Sequence, residues 1–343
     1  MEGARELTKI LSIPKYPNDF WMFRVHYKLT IAAFVFCAVL ISGKQLFGAA
    51  IACEVHGFSQ HYAESDCWMG ATYTLPYLSA RHHQLYPGVG PLYYDGKKLG
   101  PIVYQTFYQY YALALFIQSL LFYLPRYIWK NVEQKKLQYL VEDLRKKENE
   151  KDSPALKILL ESTANSIYKR RELHHRRCIT YYILECLNCC IVALQAVFMH
   201  LYLNYTFITL GLEVLGILNN NPLPRAYAFP KHAKCNLRRY GPSGTAMIID
   251  AICVLPLNDW NEKIFVILWF WMVVLFLVSM GYCLFNFIPF ITMVWRGPEG
   301  ITGKGHYMWS FLGITLYPDV VEELRVLCLE EAGTVNTTEK KTD

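Results

Sequence analysis

Charge is scarce in this sequence and unevenly spread. Only 18% of the 343 residues are Asp, Glu, Lys or Arg, and three runs contain none: Leu99 to Pro125, Cys186 to Leu212 and Ile264 to Trp295. Each is longer than the about 20 mostly apolar residues that cross a hydrocarbon core, so a soluble core is the poorer explanation and three membrane spans are expected. Leu29 to Gly43 is shorter, but its apolar character resumes beyond Lys44 as far as Ala52. A lysine there can snorkel to the interface, and this makes a fourth span. An apolar leader core is also missing, because the opening residues are charged. The first span is therefore expected to be a retained anchor.

The run from Tyr108 to Lys130 carries Tyr108, Tyr110 and Tyr111 at one end and Tyr123, Tyr127 and Trp129 at the other. Amphipathic rings favour the two lipid interfaces, which is where these are expected. Four spans alternate sides, and Lys plus Arg then number 24 on the side of both termini and the middle loop against 10 in the other two loops. By the positive-inside rule the richer side is cytoplasmic. The net charge of +6 needs no nucleic acid to explain it.

The expected organisation is an all-α membrane protein. Residues 1–27 form a cytoplasmic amino-terminal segment, and the transmembrane helices lie at 28–52, 99–125, 179–212 and 264–295. Extracellular loops occupy 53–98 and 213–263, a helical cytoplasmic loop 126–178, and a cytoplasmic carboxy-terminal region 296–343. In the middle loop Leu137, Leu140, Val141 and Leu144, then Leu156, Leu159, Leu160 and Ile167, recur at helical spacing, with Ser153 as cap and Pro154 in the first turn between them. The basic run Lys169 to Arg177 is read as a solvated or lipid-facing positive end in preference to a calmodulin target.

Four of the eleven cysteines fall in the outer loops, Cys53 and Cys67 in the first and Cys235 and Cys253 in the second. An even number in an oxidising compartment reads as two disulfides. Cys37, Cys283 and Cys328 read as buried or reduced thiols. Cys178, Cys186, Cys189 and Cys190, near His174 and His175, lack a second matched pair of the kind structural zinc sites show, so no metal and no cofactor are expected. His82 with His83 and His174 with His175 fall on opposite sides of the membrane and cannot share an ion, which disfavours a metalloenzyme. Glu185, Asn188, Gln195 and His200 at membrane depth raise a transporter reading. The sequence has neither an internal repeat nor a pair of broken half-helices to support it.

The order of motifs carries a resemblance. "NDFWMFRVHYKLT" (Asn18 to Thr30), "GKQLFG" (Gly43 to Gly48), "DCW" (Asp66 to Trp68), "LFYLPRYIWK" (Leu121 to Lys130), "CVLPLN" (Cys253 to Asn258) and "NEKIFVILWFW" (Asn261 to Trp271) together resemble the innexin family over residues 18–325. Two departures stand out. The family's Tyr-Tyr-Gln-Trp at the start of the second span reads Phe107, Tyr108, Gln109, Tyr110 here, and the first fifteen residues differ from the usual innexin start. The resemblance implies a gap-junction channel subunit of the plasma membrane, not an enzyme. Its ring, of identical or mixed innexin subunits and expected as an octamer, sits among membrane lipids and docks with a hemichannel of the neighbouring cell, so that ions and small metabolites diffuse through. An undocked pannexin-like surface hemichannel and a non-conducting junctional adhesion protein are the alternatives.

Within that reading the disulfides are expected to join the two outer loops, Cys53 with Cys253 and Cys67 with Cys235, membrane-proximal with membrane-proximal and distal with distal. Neither outer loop contains Asn-x-Ser/Thr. The sequons at Asn204 and Asn336 fall in an expected span and in the tail, so no glycan is expected to obstruct docking. At the amino terminus Gly3, Leu7, Ile10 and Leu11 fall on one side of a helix and Glu2, Arg5, Glu6 and Lys9 on the other, with Pro14 limiting its length. This segment is expected to fold into the pore mouth, with Met1, Glu2, Arg5, Glu6 and Lys9 lining it, in preference to lying on the membrane surface.

Overall fold

A computed structural model describes residues 20–57, 59–75, 88–91, 93–94, 97–98, 100–105, 107–133, 144, 154–217, 228–297, 307–313, 316 and 318–339. Among the described residues four helices are long and apolar enough to cross a membrane: α1 (Trp21–Phe47), α3 (Tyr111–Glu133, entered through a 3₁₀ turn at Phe107–Tyr110), α5 (Arg171–Tyr202) and α7 (Pro256–Arg296). Between and after them lie α2 (Gln60–Met69), α4 (Pro154–Lys169), α6 (Phe207–Val214), α8 (Tyr307–Leu312) and α9 (Pro318–Glu339). On the spans Phe36, Val39, Ile117, Leu194, Val274 and Phe285 stand exposed, a quantity of bare apolar surface that lipid covers and water does not.

The chain forms two compact units, one made of Met1–Ile31, Leu120–Ile191 and Phe276–Asp343, the other of Ala32–Ser119 and Val192–Leu275. The division falls inside the four long helices. In the described residues of the first unit every element is helical. Its core gathers on Tyr181, which is fully buried. The Tyr181 ring stacks on Phe23 at 5.2 Å, meets Trp129 edge-on at 4.8 Å, and its hydroxyl accepts the Phe20 backbone N–H at 3.0 Å. Leu156, Leu160, Ala164 and Ile167 of α4 face this core, and α9 packs along α4 with the Cys328 thiol donating to the Ala164 carbonyl at 3.6 Å. Leu137, Leu140, Val141 and Ser153 lie outside the described residues.

The second unit gathers on Tyr111. It is fully buried against Phe265 at 5.0 Å, Tyr202 at 5.7 Å and Phe229 at 6.0 Å, and its hydroxyl donates to the Ala228 carbonyl. This unit also holds a five-stranded antiparallel sheet in the order β1-β7-β6-β2-β5. The strands are β1 (Ala52–Glu54), β2 (Thr72–Thr74), β5 (Val103–Gln105), β6 (His232–Tyr240) and β7 (Ala246–Val254). Tyr93–Tyr94 (β3) and Lys97–Lys98 (β4) pair separately.

Several sequence expectations are corrected here. Tyr108, Tyr111 and Trp129 are buried packing residues, and only Tyr110 and Tyr127 of that group stand more than half exposed. The tyrosine hydroxyls find partners inside, which removes the cost of burying them. The charge-free run from Leu99 is not helical throughout, because Val103–Gln105 pair with β2. The apolar stretch expected to end at 212 is interrupted. Asn204 and Tyr205 adopt left-handed φ values of 49° and 62° and turn the chain between α5 and α6. Asn204 is therefore an exposed turn residue and not part of a helix. His200 holds this turn, its Nδ1 accepting the Ile208 backbone N–H at 3.3 Å. Glu185, Asn188 and Gln195 are buried, and Gln195 donates to the Gln118 carbonyl at 3.3 Å, tying α5 to α3.

Candidate docking frame

The sheet brings the four outer cysteines together. Cys53 of β1 lies directly opposite Cys253 of β7 and is bonded to it. Cys67, near the end of α2, is bonded to Cys235 of β6. Sulfurs of Cys53, Cys67 and Cys253 lie within 4.8 Å of one another, so the two bonds sit side by side beneath α2. Three such sulfurs would suit a soft metal as free thiols, but disulfide sulfurs carry no thiolate charge to offer one. All four cysteines are buried.

Polar contacts extend the frame outward from the bonds. Lys234 is buried near the start of β6, where its ammonium meets Asp250 Oδ2 at 2.7 Å and donates to the Gly90 carbonyl at 3.1 Å. The hydrogen bond from Lys234 to Asp250 holds the Asp250 carboxyl below the usual carboxylate range. Tyr73 of β2 donates to Asn236 Oδ1 at 2.9 Å. Burial, reinforced by the Asp250 charge, pushes its hydroxyl up to about 12. Arg239 donates to the Gly57 carbonyl at 3.1 Å, and Gly57 takes a φ of 86° that a side chain would resist.

The root of the hairpin is anchored to the start of α7. Asn258 donates to the Pro230 carbonyl at 3.0 Å, Leu255 N–H to the Lys231 carbonyl at 2.9 Å, and Lys231 pairs with Asp259 at 3.0 Å. Along β6 and β7 the inner pairs are covered, with Ala233, Cys235, Ala251 and Cys253 buried, whereas Tyr240, Met247 and Ile248 are at least half exposed. The register pairs Arg238 with Ile248, Arg239 with Met247 and Tyr240 with Ala246. A turn over Gly241–Thr245 closes the end, with Gly241 N–H bonded to the Thr245 carbonyl at 2.8 Å. The result is a two-stranded projection, stiff at its base and bare at its tip, showing apolar and cationic side chains together.

Sequence reasoning located the four cysteines of this frame. It missed Lys234, Asp250, Tyr73, Asn236 and Arg239, although the Gly-Pro-Ser-Gly stretch at Gly241–Gly244 is a turn signal between two strand-like runs. The pore-lining candidates Met1, Glu2, Arg5, Glu6 and Lys9 lie outside the described residues.

A family model described as "Innexin" matches residues 19–297. The chain belongs to the innexin family. It is 35% identical over 267 residues to "Innexin inx2" of Schistocerca americana, covering 74% of this chain and 71% of that one. It is 34% identical over 280 residues to "Innexin inx2" of Drosophila melanogaster, covering 79% and 74%, and 32% identical over 303 residues to "Innexin shaking-B" of the same species, covering 85% and 77%. As an innexin it is a subunit of a gap-junction channel of the plasma membrane, a channel protein and not an enzyme. In this innexin the matched residues include both disulfides, the sheet and all four long helices.

Proposed function

We propose that this innexin assembles into a ring, an octamer, whose members share one aqueous pore, and that rings of apposed cells dock through the tips of the β6–β7 hairpins. The single observation that carries this reading is the hairpin itself, bolted at its base by two adjacent disulfides and uncovered beyond Arg239. A four-helix subunit has no room for a wide water path, whereas cyclic symmetry turns one face per subunit into a lined pore. Docking contacts that are weak singly are multiplied around the ring by effective concentration. Both termini and the middle loop are cytoplasmic, and the hairpin faces the neighbouring cell. Ions and small metabolites pass by diffusion, with Met1, Glu2, Arg5, Glu6 and Lys9 at the pore mouth.

Paired-cell recording tests the docking surface. Ile248→Asp together with Arg238→Glu is expected to abolish junctional current while leaving the hemichannel current of single cells within about twofold of the parent. Junctional coupling that survives these changes, at normal surface delivery, would overturn the assignment of the hairpin tip.

A further inference from the structure

The turn after α5 carries a motif that the channel reading leaves unused. Asn204, Tyr205 and Thr206 read Asn-x-Thr, an acceptor pattern for an N-linked glycan wherever it is exposed on the secretory side of a membrane. Inside a continuous span the pattern would be unreachable. However, α5 stops at Tyr202, and left-handed backbone at Asn204 and Tyr205 turns the chain out of it. Asn204 is exposed and Tyr205 is 69% exposed. The Asn204 backbone is held, its N–H donating to the Leu201 carbonyl at 3.3 Å and its carbonyl accepting the Thr206 hydroxyl at 3.3 Å, while its carboxamide has no partner among the described residues. Tolerance of left-handed backbone alone accounts for an asparagine at this position. It does not account for the threonine two residues on. Thr206 stands at the N-cap of α6 but makes no capping bond, and its hydroxyl turns back to Asn204 instead.

Packing in the second unit settles which end of α5 this turn occupies. Tyr202 meets Tyr111 edge-on at 5.7 Å, and Tyr111 opens α3 directly after the turn that leads in from β5. The Tyr111 hydroxyl also donates to the carbonyl of Ala228, shortly before β6. Asn204 therefore lies at the end of the unit that carries the sheet and both disulfides, and disulfides form and persist on the secretory side. From Cys178, past the last arginine of α5, to Tyr202 the helix rises about 37 Å. The hydrocarbon core is about 30 Å thick, so the turn stands at its edge or beyond.

We propose that Asn204 is an N-glycosylation site, which rests on the orientation given above, with the hairpin facing the neighbouring cell. The donor is a lipid-linked oligosaccharide pyrophosphate of the secretory pathway. The Asn204 amide nitrogen forms a bond to the first sugar carbon as the bond from that carbon to the pyrophosphate oxygen breaks, one amide proton is lost, and the polyprenyl pyrophosphate is released. The glycan stands at the root of the outer domain, not at its tip. β6 runs nine residues from His232 to Tyr240, about 30 Å of strand, before the exposed end is reached, so the sugar leaves the hairpin tip free. An occupied Asn204 also keeps this turn out of the contact between neighbouring subunits of the ring, since a bulky, hydrated chain needs open solvent.

The full-length channel, expressed in a human cell line and digested with peptide N-glycosidase F, tests this. A gel shift equal to one glycan is expected, with Asn204 found deamidated in its peptide when digestion is run in heavy-oxygen water. Asn204→Gln and Thr206→Ala should each abolish the shift, Thr206→Ser should keep it, and Asn336→Gln in α9 should leave it unchanged. The deamidation is read on the native chain, so it does not depend on any variant folding. An epitope placed after Ser243 in the hairpin turn separates the two readings. Staining of intact cells with no shift at Asn204 would overturn the glycan and leave the orientation standing. Staining only after permeabilisation, with no shift, would overturn both.

Discussion

Lys234 shows how one buried charge depends on a partner that is itself half in water. Its ammonium is almost completely covered, whereas Asp250 is 63% exposed on its side chain. Replacing Asp250 by Asn leaves the lysine with the Gly90 carbonyl as its other partner, and a buried group so deprived costs about 1–2 kcal/mol once solvent screening of Asp250 is allowed for. Because the folded carboxyl titrates below its unfolded value, the stability it contributes is fully present above about pH 4 and is lost as pH falls through the folded pKa. D250N should therefore lower the melting temperature at neutral pH and flatten its fall below pH 4, as read by thermal unfolding of the detergent-solubilised channel. Gly211 presents a steric case. A Cβ there would lie 2.0 Å from Trp269 Cε3, and Trp269 is held by its indole donating to the Ile208 carbonyl at 3.1 Å. Gly211→Ala should cost about 1–3 kcal/mol of overpacking, seen as a lowered melting temperature, with Gly216→Ala unsuitable as a control because its φ is 70°.

Among the elements, α2 depends most on a covalent tie. Its N-cap Ser59 makes no capping side-chain bond. The Cys67–Cys235 bond ties it to β6, and Trp68 meets Tyr108 of the 3₁₀ turn at 5.4 Å while its carbonyl accepts from Gln109. Cys67→Ser should lose about 2–4 kcal/mol through the freed unfolded chain. Amide exchange in Gln60–Met69 should then accelerate more than in α4, and junctional coupling should fall. The same elements show what the sequence makes legible. Long charge-free runs mark three of the membrane helices, and the shorter run Leu29 to Gly43 the first, because excluding charge from lipid is a constraint on every residue of the run. The helix ends are less visible. α1 begins before Arg24 and Lys28, and Arg126 covers the Tyr27 ring at 5.0 Å, so basic residues do not mark where helix starts. In β6 the alternation of buried Ala233, Cys235 and Leu237 with exposed Asn236 and Arg238 is a strand signal. Lys234 breaks it, being buried by partners from β7 and from Gly90 that lie far from it in the chain. The turn after α5 has only Asn204 to announce it, a residue that tolerates left-handed backbone.

For the whole molecule, the proposed ring makes its own predictions. The native mass of the purified channel should correspond to eight chains before docking and sixteen after. Replacing Glu2 and Glu6 with Lys should move permeability toward anions, because eight subunits would each bring the change to one pore mouth. Reversal potentials in a salt gradient measure this, and an unchanged potential would place the segment on the membrane surface. The β6–β7 hairpin also bears on the history of such a channel. Ala233, Cys235, Ala251 and Cys253 hold its root, while Tyr240, Met247 and Ile248 hold nothing in place within the chain's described residues beyond their own strand pairing. Mutation at those three positions is therefore expected to be nearly neutral for folding and, if the hairpin tips dock as proposed, consequential for recognition. A duplicated gene could drift there into a new compatibility class, deciding which neighbouring cells exchange contents, without first having to rebuild the protein that carries it.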